Sequence, residues 1–353
     1  MPKDWPDPER VLVVMPTWLG DCVMATPTLA TLRRMYPHAH LAALVREPVA
    51  PLLAGLPGLD AVLPLGSGRT TGLLRDAHAL RRHRFDLAVL LPNSFRTALL
   101  VRLAGVSRRV GYGRDGRSLL LTDALIPRRE DSYIPVPTRA YYLGLTRYLG
   151  ARQIEAAMHL AVSDEEHRAA TQLLADAGLG AGDGRPLVLL NPGASFGASK
   201  MWPVDRFAAV ADRCASDLGA VVGLIGAPSE RPVLDAVQAA ADTPLLDLPR
   251  HGLALGTLKA VVARARVLVT NDTGPRHVAA ALGTPVVSIF GPTDPAWTEI
   301  GFDRERIVRV DVPCGPCQLK VCPLDHRCMT RIHPERVVAN VAELMAPAVR
   351  ASA

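Results

Sequence analysis

The sequence has few aromatic residues and no long apolar run. Phe, Trp and Tyr make up 5% of its 353 residues, whereas 49% are hydrophobic, a balance typical of an Ala/Leu/Val-rich α/β enzyme. No stretch approaches the roughly 18 uninterrupted apolar residues of a membrane-spanning helix. The opening residues, MPKDWPDPER, contain neither an apolar core nor a cleavage site for secretion. We therefore expect a cytoplasmic protein.

Two sequence motifs of nucleotide enzymes are missing where they would matter. The first strand–helix turn lacks G-x-G-x-x-G, which disfavours a dinucleotide-dependent oxidoreductase. No D-x-D metal motif follows a predicted strand, so we expect a reaction without metal or other cofactor. Four of the six cysteines crowd into a C-x2-C-x4-C-x5-C pattern, which suits either a structural metal or reduced thiols: Cys314, Cys317, Cys322 and Cys328.

Positive charge is concentrated in the first half of the chain. Residues 1–150 hold 20 Lys/Arg against 12 Asp/Glu, whereas residues 151–353 hold 20 against 22. An acidic substrate, an anionic membrane surface and nucleic acid all fit a basic half, and so does a solvated arginine-rich surface. Nucleic acid is disfavoured because no recognised nucleic-acid module accompanies the arginines.

Short apolar runs alternate with helical stretches, and the pattern occurs twice. This alternation predicts an α/β fold with parallel sheets. The Gly-rich interval 178–184 predicts a linker, which gives a first domain at 1–178, a second at 185–335, and a C-terminal helix in 336–353 that could pack back on the first domain. The predicted strands are 11–15, 41–45, 61–65 and 86–91 in the first half, and 187–190, 221–225, 245–248, 267–270 and 286–290 in the second.

The first strand–helix turn reads PTWLGDCVMATPTL. Gly20 permits a tight turn, and Asp21 follows at the carboxyl end of the first strand, before a helix predicted over 25–35. A carboxylate placed there can act as a general base. The alternative, that Asp21 only caps a helix, remains open at this point.

Three predicted strand ends of the second half carry polar residues. NPGASFGASKMWP offers Ser195 and Lys200 for a diphosphate, and Glu230 follows the next strand, where it could meet ribose hydroxyls or merely begin a helix. TNDTGPRHVAAALG places Asp272, Thr273 and Gly274 before a helix whose N–H groups suit an anion. Capping by Asp272 or Thr273 is an equally simple explanation of that turn. Together the three ends predict one sugar-nucleotide site.

The chain resembles the ADP-heptose:lipopolysaccharide heptosyltransferases of glycosyltransferase family nine, most closely the heptosyltransferase II type. The resemblance covers nearly the whole chain, through WLGDCVMATPTL, NPGASFGASKMWP, TNDTGPRHVAAALGTPVVSIFGPTDP and CGPCQLKVCPLDHRCM. It implies a GT-B fold, in which two Rossmann-like domains face a central cleft, with the acceptor on the first domain and ADP-heptose on the second. It also implies an inverting transfer of heptose to the first heptose of the lipopolysaccharide inner core.

The resemblance also implies roles for single residues. Asp21 matches the catalytic base, and the donor-binding residues are Ser195, Lys200, Glu230, Asp272, Thr273, Gly274 and His277. Arg276 departs from the expected pattern. We expect Arg96 and Arg117 to bind the lipid-anchored acceptor at the cytoplasmic face of the inner membrane. A family member acting on Kdo or a later core sugar, and a non-catalytic ADP-sugar-binding protein, remain the alternatives.

Overall fold

The computed structural model describes residues 5–66, 70–126, 136–180 and 182–346. The chain divides into two compact units, Met1–Ala161 and Val162–Ala353. Each unit is an α/β domain built on a parallel sheet whose strands are connected by helices.

The described part of the first unit contains a sheet of six parallel strands in the order β3-β2-β1-β4-β5-β6. The central strand β1 reads RVLVV and is buried over its last four residues, as expected for a parallel strand covered on both faces. The strands predicted for this half are all present. The bounds are β1 Arg10–Val14, β2 His40–Arg46, β3 Ala61–Leu65, β4 Leu87–Leu90, β5 Arg108–Tyr112 and β6 Asp123–Leu125.

The helix predicted over 25–35 is present, and a short helix that the sequence analysis did not predict precedes it. A break at Ala25 separates a six-residue helix carrying Asp21 from a longer one with Pro27 in its first turn. Proline lacks an N–H and is accommodated at a helix start, so the second helix begins there. The bounds in this unit are α1 Leu19–Met24, α2 Thr26–Met35, α3 Ala50–Leu53, α4 Thr70–Arg81, α5 Phe95–Leu103 and α6 Thr138–Tyr148.

The second unit repeats this architecture. Its described residues form six parallel strands in the order β12-β11-β10-β7-β8-β9. Trp202 and Phe207, in edge contact at 5.1 Å between ring centroids, pack in the core of this unit. The five strands predicted for this half are present. The bounds are β7 Leu187–Asn191, β8 Val221–Leu224, β9 Leu246–Asp247, β10 Val267–Asn271, β11 Val286–Ile289 and β12 Glu305–Val308.

The helices of the second unit cover its sheet and connect its strands. α13 packs on α8 and against β10 and β11, and its buried face includes Val337 and Val341. The bounds are α7 Asp164–Asp176, α8 Val204–Leu218, α9 Arg231–Ala240, α10 Leu255–Arg264, α11 Gly274–Ala281, α12 Arg327–Thr330 and α13 Pro334–Met345. Short 3-10 turns lie at Glu47–Val49, Arg117–Leu120, Ala198–Lys200, Pro228–Glu230, Leu248–His251 and Pro295–Thr298.

The division between the units differs from the boundary expected from sequence. It falls after Ala161, so α7 belongs to the second unit, where the carboxylate of Glu166 bonds the buried ammonium of Lys259 on α10 at 3.0 Å. The described residues of the Gly-rich interval 178–184 therefore lie between α7 and β7 within one unit. The last helix, α13, packs on the core of the second unit, and its packing back on the first domain stays a prediction.

Candidate active site

The donor residues expected from sequence gather where the strand order of the second sheet reverses. β7 pairs with β8 on one side and with β10 on the other. In an open parallel sheet, ligands bind beyond the carboxyl ends of the strands at such a reversal. The loop after β7 ends in the 3-10 turn Ala198–Lys200, and the turn after β10 leads directly into α11. Both segments therefore lie at the edge where a ligand is expected.

Two asparagines at the ends of these strands fasten the loops to each other. Asn191 donates from Nδ2 to the hydroxyls of Thr270 and Thr273, both at 2.9 Å. Asn271 donates from Nδ2 to the carbonyl of Pro192 at 2.8 Å. The sequence analysis missed both asparagines, although the rule that polar residues at strand ends meet at one edge would have found them.

Lys200 and Asp272 form a nearly buried ion pair. Lys200 Nζ lies 2.5 Å from Asp272 Oδ2 and 3.1 Å from the Asp272 carbonyl oxygen. The hydroxyl of Thr293, after β11, donates to the same carboxylate at 2.9 Å. Burial raises the pKa of Asp272, but Lys200 and Arg276 outweigh it and hold that pKa below its usual value. The carboxylate is thus ionised and already engaged, which suits a positioning role better than proton transfer.

The capping explanation of this turn does not hold. Thr273 is the N-cap residue of α11, yet its side chain makes no capping hydrogen bond, and the Asp272 carboxylate binds Lys200. The first N–H groups of a helix have no acceptor within the helix and form its positive end. Pro275 occupies the second helical position and has no N–H. The half-buried amides of Thr273 and Gly274 therefore remain as the donors at this helix mouth.

Arg276, in the first turn of α11, connects this helix to the sheet through its buried side chain. Its guanidinium is fully buried and bonds Glu305 on β12 at 2.6 and 3.1 Å, with a further bond of 2.7 Å to the carbonyl of Thr298. The hydroxyl of Ser288 donates to the same glutamate at 2.6 Å. The unexpected arginine is therefore a buried structural cation that fixes α11 to the sheet.

His277 is a buried neutral imidazole. Desolvation, followed by the charge of Arg276, lowers the pKa of His277 to about 3. Its Nδ1 atom finds no hydrogen-bond partner among the residues that the structure describes. The charges of Asp272 and Lys200 act on this ring as well, so it lies near the candidate ion pair. Its assignment to the donor stays a prediction.

Glu230 also comes to this edge, whereas Ser195 stays at the surface. A Cβ added to Gly193 would lie 2.1 Å from Glu230 Cδ, so the carboxyl group rests against the start of the β7 loop. Glu230 Oε2 accepts from the amide of Ala227 at 2.7 Å. Ser195 is exposed in the middle of that loop. The structure thus brings three predicted strand ends together, with Ser195 the most solvent-exposed member.

Asp21 lies at the corresponding strand reversal of the first sheet, where β1 pairs with both β2 and β4. It is the third residue of α1, whose N-cap is Trp18, so Asp21 does not serve as the cap. Its half-buried carboxylate adds to burial in raising the pKa of Cys22 to about 12, and it also raises the pKa of Tyr142. A half-buried carboxylate beyond the carboxyl end of a parallel strand can act as a general base.

Arg117 is not the surface residue expected from the charge pattern. It is 0% exposed, and its guanidinium donates to the carbonyls of Tyr112 and Pro92 and to Asn93 Oδ1. Asn93 Nδ2 in turn donates to the hydroxyl of Tyr141 at 3.0 Å. This arginine orders the end of β4, and the expectation of direct acceptor binding by it is wrong. Arg96, half-buried in the first turn of α5, stays a candidate.

The cysteine pattern forms a compact cluster beside the β7 loop. All of its cysteines have free thiols. They line one cavity of about 20 Å³ together with Ser199 and His326. In the described ranges, no group of three or more His, Cys, Asp or Glu side chains is arranged to hold a metal ion. The cluster members are Cys314, Cys317, Cys322 and Cys328.

Comparison with known proteins shows which sequences and structures this chain resembles. The model of glycosyltransferase family 9 (heptosyltransferase) matches residues 73–327. Lipopolysaccharide heptosyltransferase 2 of Salmonella typhimurium is 30% identical, over 85% of this chain and 88% of its own. Lipopolysaccharide heptosyltransferase 1 of Pseudomonas aeruginosa is 28% identical, over 96% and 99%. The solved E. coli ADP-heptose LPS heptosyltransferase II has a TM-score of 0.80 and 28% identity, covering 95% of this chain and 98% of its own.

Proposed function

The chain belongs to glycosyltransferase family 9, and we propose that it transfers L-glycero-D-manno-heptose from ADP-heptose to the first heptose of the lipopolysaccharide inner core. Membership makes the chain a glycosyltransferase of the heptosyltransferase type with a GT-B-like fold. The identity of donor and acceptor is our proposal. The observation that carries it is the Lys200–Asp272 pair at the mouth of α11, an arrangement suited to a sugar diphosphate.

The second unit supplies the groups that a departing nucleoside diphosphate requires. Negative charge grows on the diphosphate as the glycosidic bond to ADP breaks, and preorganised donors stabilise that charge best. Lys200 and the α11 amides of Thr273 and Gly274 can do this without a divalent ion. Asp272 orients Lys200 rather than reacting itself, because its carboxylate is bound to Lys200 and Thr293.

The first unit supplies the base in this proposal. An acceptor hydroxyl attacks the anomeric carbon from the face opposite the leaving group and inverts its configuration, and it must lose a proton as it does so. Asp21 is the carboxylate that we assign to take that proton. The proposal requires the acceptor hydroxyl to reach both Asp21 and the anomeric carbon in the reacting complex.

Acceptor binding is assigned to the basic first unit, with Arg96 as its candidate contact. The acceptor is lipid-anchored in this proposal, so the enzyme works at the cytoplasmic face of the inner membrane. Among the described residues, no helix has the length and apolar character needed to cross a bilayer. Peripheral contact through arginines would suffice to reach an anionic glycolipid.

The identity of the acceptor distinguishes the two activities that remain, transfer to the first heptose and transfer to Kdo. A Kdo acceptor, an alternative from the sequence analysis, is the second candidate, and one relative is named a heptosyltransferase 1. We would incubate the protein with ADP-heptose and two purified core acceptors, one ending in Kdo and one carrying the first heptose, and weigh the products by mass spectrometry. The proposal requires one added heptose on the second acceptor, also with EDTA present. Transfer to Kdo alone, or no transfer to either acceptor, would refute it.

A further inference from the structure

The cysteine-rich segment, residues 314–328, contacts the loop that presents Lys200. Ser199, the residue before Lys200, is only 2% exposed. Its amide donates to the carbonyl of Lys320 at 3.1 Å, and its hydroxyl donates to the carbonyl of Leu319 at 2.5 Å. The carbonyl of Ser199 lies 2.6 Å from Nε2 of His326. Each polar group of this serine is therefore bonded to the cysteine-rich segment.

The two segments approach more closely than ordinary side chains allow. A Cβ added to Gly197 would lie 2.4 Å from the carbonyl oxygen of Lys320 and 2.9 Å from its Cβ. Only glycine accommodates that approach without a shift of the backbone. The close contact therefore depends on glycine at position 197. Its hydrogen bonds join backbone atoms, apart from those of the Ser199 hydroxyl and the His326 ring.

The same segment also contacts the loop on the other side of the ion pair. The backbone N–H of Gln318 donates a hydrogen bond to the carbonyl of Pro292 at 2.8 Å. The next residue, Thr293, donates to the carboxylate of Asp272. The segment thus bonds the residues adjacent to both groups that engage Asp272, Lys200 on one loop and Thr293 on the other.

His326 is the side chain that closes this arrangement. A carbonyl oxygen only accepts hydrogen bonds, so the ring must carry its proton on Nε2 and donate it to Ser199. This bond restrains the peptide that joins Ser199 to Lys200. A fixed peptide presents the ammonium in one position and lowers the ordering cost of binding a diphosphate.

We propose that His326 is a positioning residue for the nucleoside diphosphate: it acts through Ser199 to hold Lys200 and does not contact the ligand. The inference rests on the proposed function in taking ADP as the ligand. It gives the cysteine-rich segment a role in donor binding, although its own residues need not face the donor.

Two substitutions separate the donated hydrogen bond from the volume of the ring. His326→Phe keeps a ring but has no N–H, so the dissociation constant of ADP should rise about fivefold or more, the worth of about one hydrogen bond. His326→Gln has an amide N–H that can reach the same carbonyl, so it should restore most of the affinity. Calorimetric titration with ADP gives both values on the full chain. His333→Phe, at an exposed histidine before α13, is the matched control and should bind ADP as the wild type does.

A double-mutant cycle tests whether the effect passes through Lys200. In a Lys200→Met background, His326→Phe should change the ADP dissociation constant little, because the group that it positions is gone. Hydrogen exchange of residues 195–201 without ligand gives a second readout, and His326→Phe should accelerate it. Urea unfolding of each variant monitors global stability.

The outcomes are distinct. Equal affinity of His326→Phe and wild type, failure of His326→Gln to recover affinity, or additive losses in the cycle would each overturn the positioning role. Unchanged exchange at 195–201 in His326→Phe would also overturn it. If the wild type binds no ADP, the proposed function fails, and the exchange experiment still decides whether His326 orders the loop.

Discussion

At the scale of single residues, the two aspartates of the candidate site differ in what surrounds them. Asp272 is 4% exposed and bound by Lys200 and Thr293, so its pKa is held low and its lone pairs are used. Asp21 is half-buried at the start of a short helix, and its charge adds to burial in raising the pKa of Tyr142. Sequence predicted both positions, because each follows a buried strand. It could not distinguish the nearly buried aspartate from the half-buried one, since burial depends on neighbours distant in the chain.

Removal of the Lys200 charge should weaken donor binding and destabilise the fold. Lys200→Met keeps a side chain of similar length but leaves the buried Asp272 carboxylate without its closest cation. The free energy of unfolding should fall by about 1–3 kcal/mol. The same change should raise the KM for ADP-heptose about tenfold or more, since a charge-assisted bond to phosphate is lost. Steady-state kinetics and urea unfolding measure the two effects. Arg168→Met, which removes a positive charge at an exposed position of the second unit, is the control. A wild-type KM in Lys200→Met would contradict the assignment.

His277 should make the folded state sensitive to acid. Its pKa is about 3 in the folded protein and about 6.5 when unfolded, so below pH 6.5 the unfolded chain takes up a proton that the folded chain refuses. The group stabilises the fold above pH 6.5, and this contribution is lost as the pH falls towards 3, by at most about 1.4 kcal/mol per pH unit.

A substitution isolates this contribution. Urea unfolding at pH 7.5, 6.0 and 5.0 should show the stability advantage of wild type over His277→Gln shrinking by up to about 2 kcal/mol between pH 6.5 and 5. His38→Gln, at an exposed histidine, should run parallel to wild type. A constant difference between wild type and His277→Gln would show that the ring titrates normally in the folded state.

At the scale of elements, apolar patterning predicted the buried strands and missed those with polar exposed positions. β5 begins with two arginines, β6 has three residues, and β12 reads ERIV with one buried position. β6 and β12 are edge strands, where one side faces away from the sheet and the apolar pattern weakens. Arg117 shows the same limit, because a guanidinium can be fully buried once backbone carbonyls satisfy it.

Helix α7 tests the unit boundary. A fragment of residues 162–353 retains α7 and its contacts with α10, whereas a fragment of residues 179–353 loses Leu173, Leu174 and the partner of Lys259. We expect the longer fragment to unfold cooperatively in urea. The shorter one should be less stable by about 4 kcal/mol or more, because two buried leucines and a buried ion pair are lost. Equal stability of the two fragments would favour the boundary at residue 178.

At the scale of the whole molecule, the basic surplus of residues 1–150 supports our proposal that the first unit binds the acceptor. Arg96→Glu should raise the KM for the acceptor several-fold and leave the KM for ADP-heptose unchanged, with the acceptor effect shrinking as salt screens the charges. Kinetics at low and high ionic strength measure this. Arg168→Glu, at an exposed arginine of the second unit, is the control. An equal rise of the KM for the acceptor and of the KM for ADP-heptose in Arg96→Glu would reject the assignment.

The central claim is that one unit removes a proton from the acceptor while the other stabilises the departing ADP. The most direct test compares the kcat of heptose transfer for wild type and Asp21→Asn, with the dissociation constant of ADP measured on the same samples. The account predicts that kcat falls about a hundredfold or more, since general-base catalysis is lost, while ADP binding is unchanged. Heptose transfer by Asp21→Asn at the wild-type rate would contradict the account.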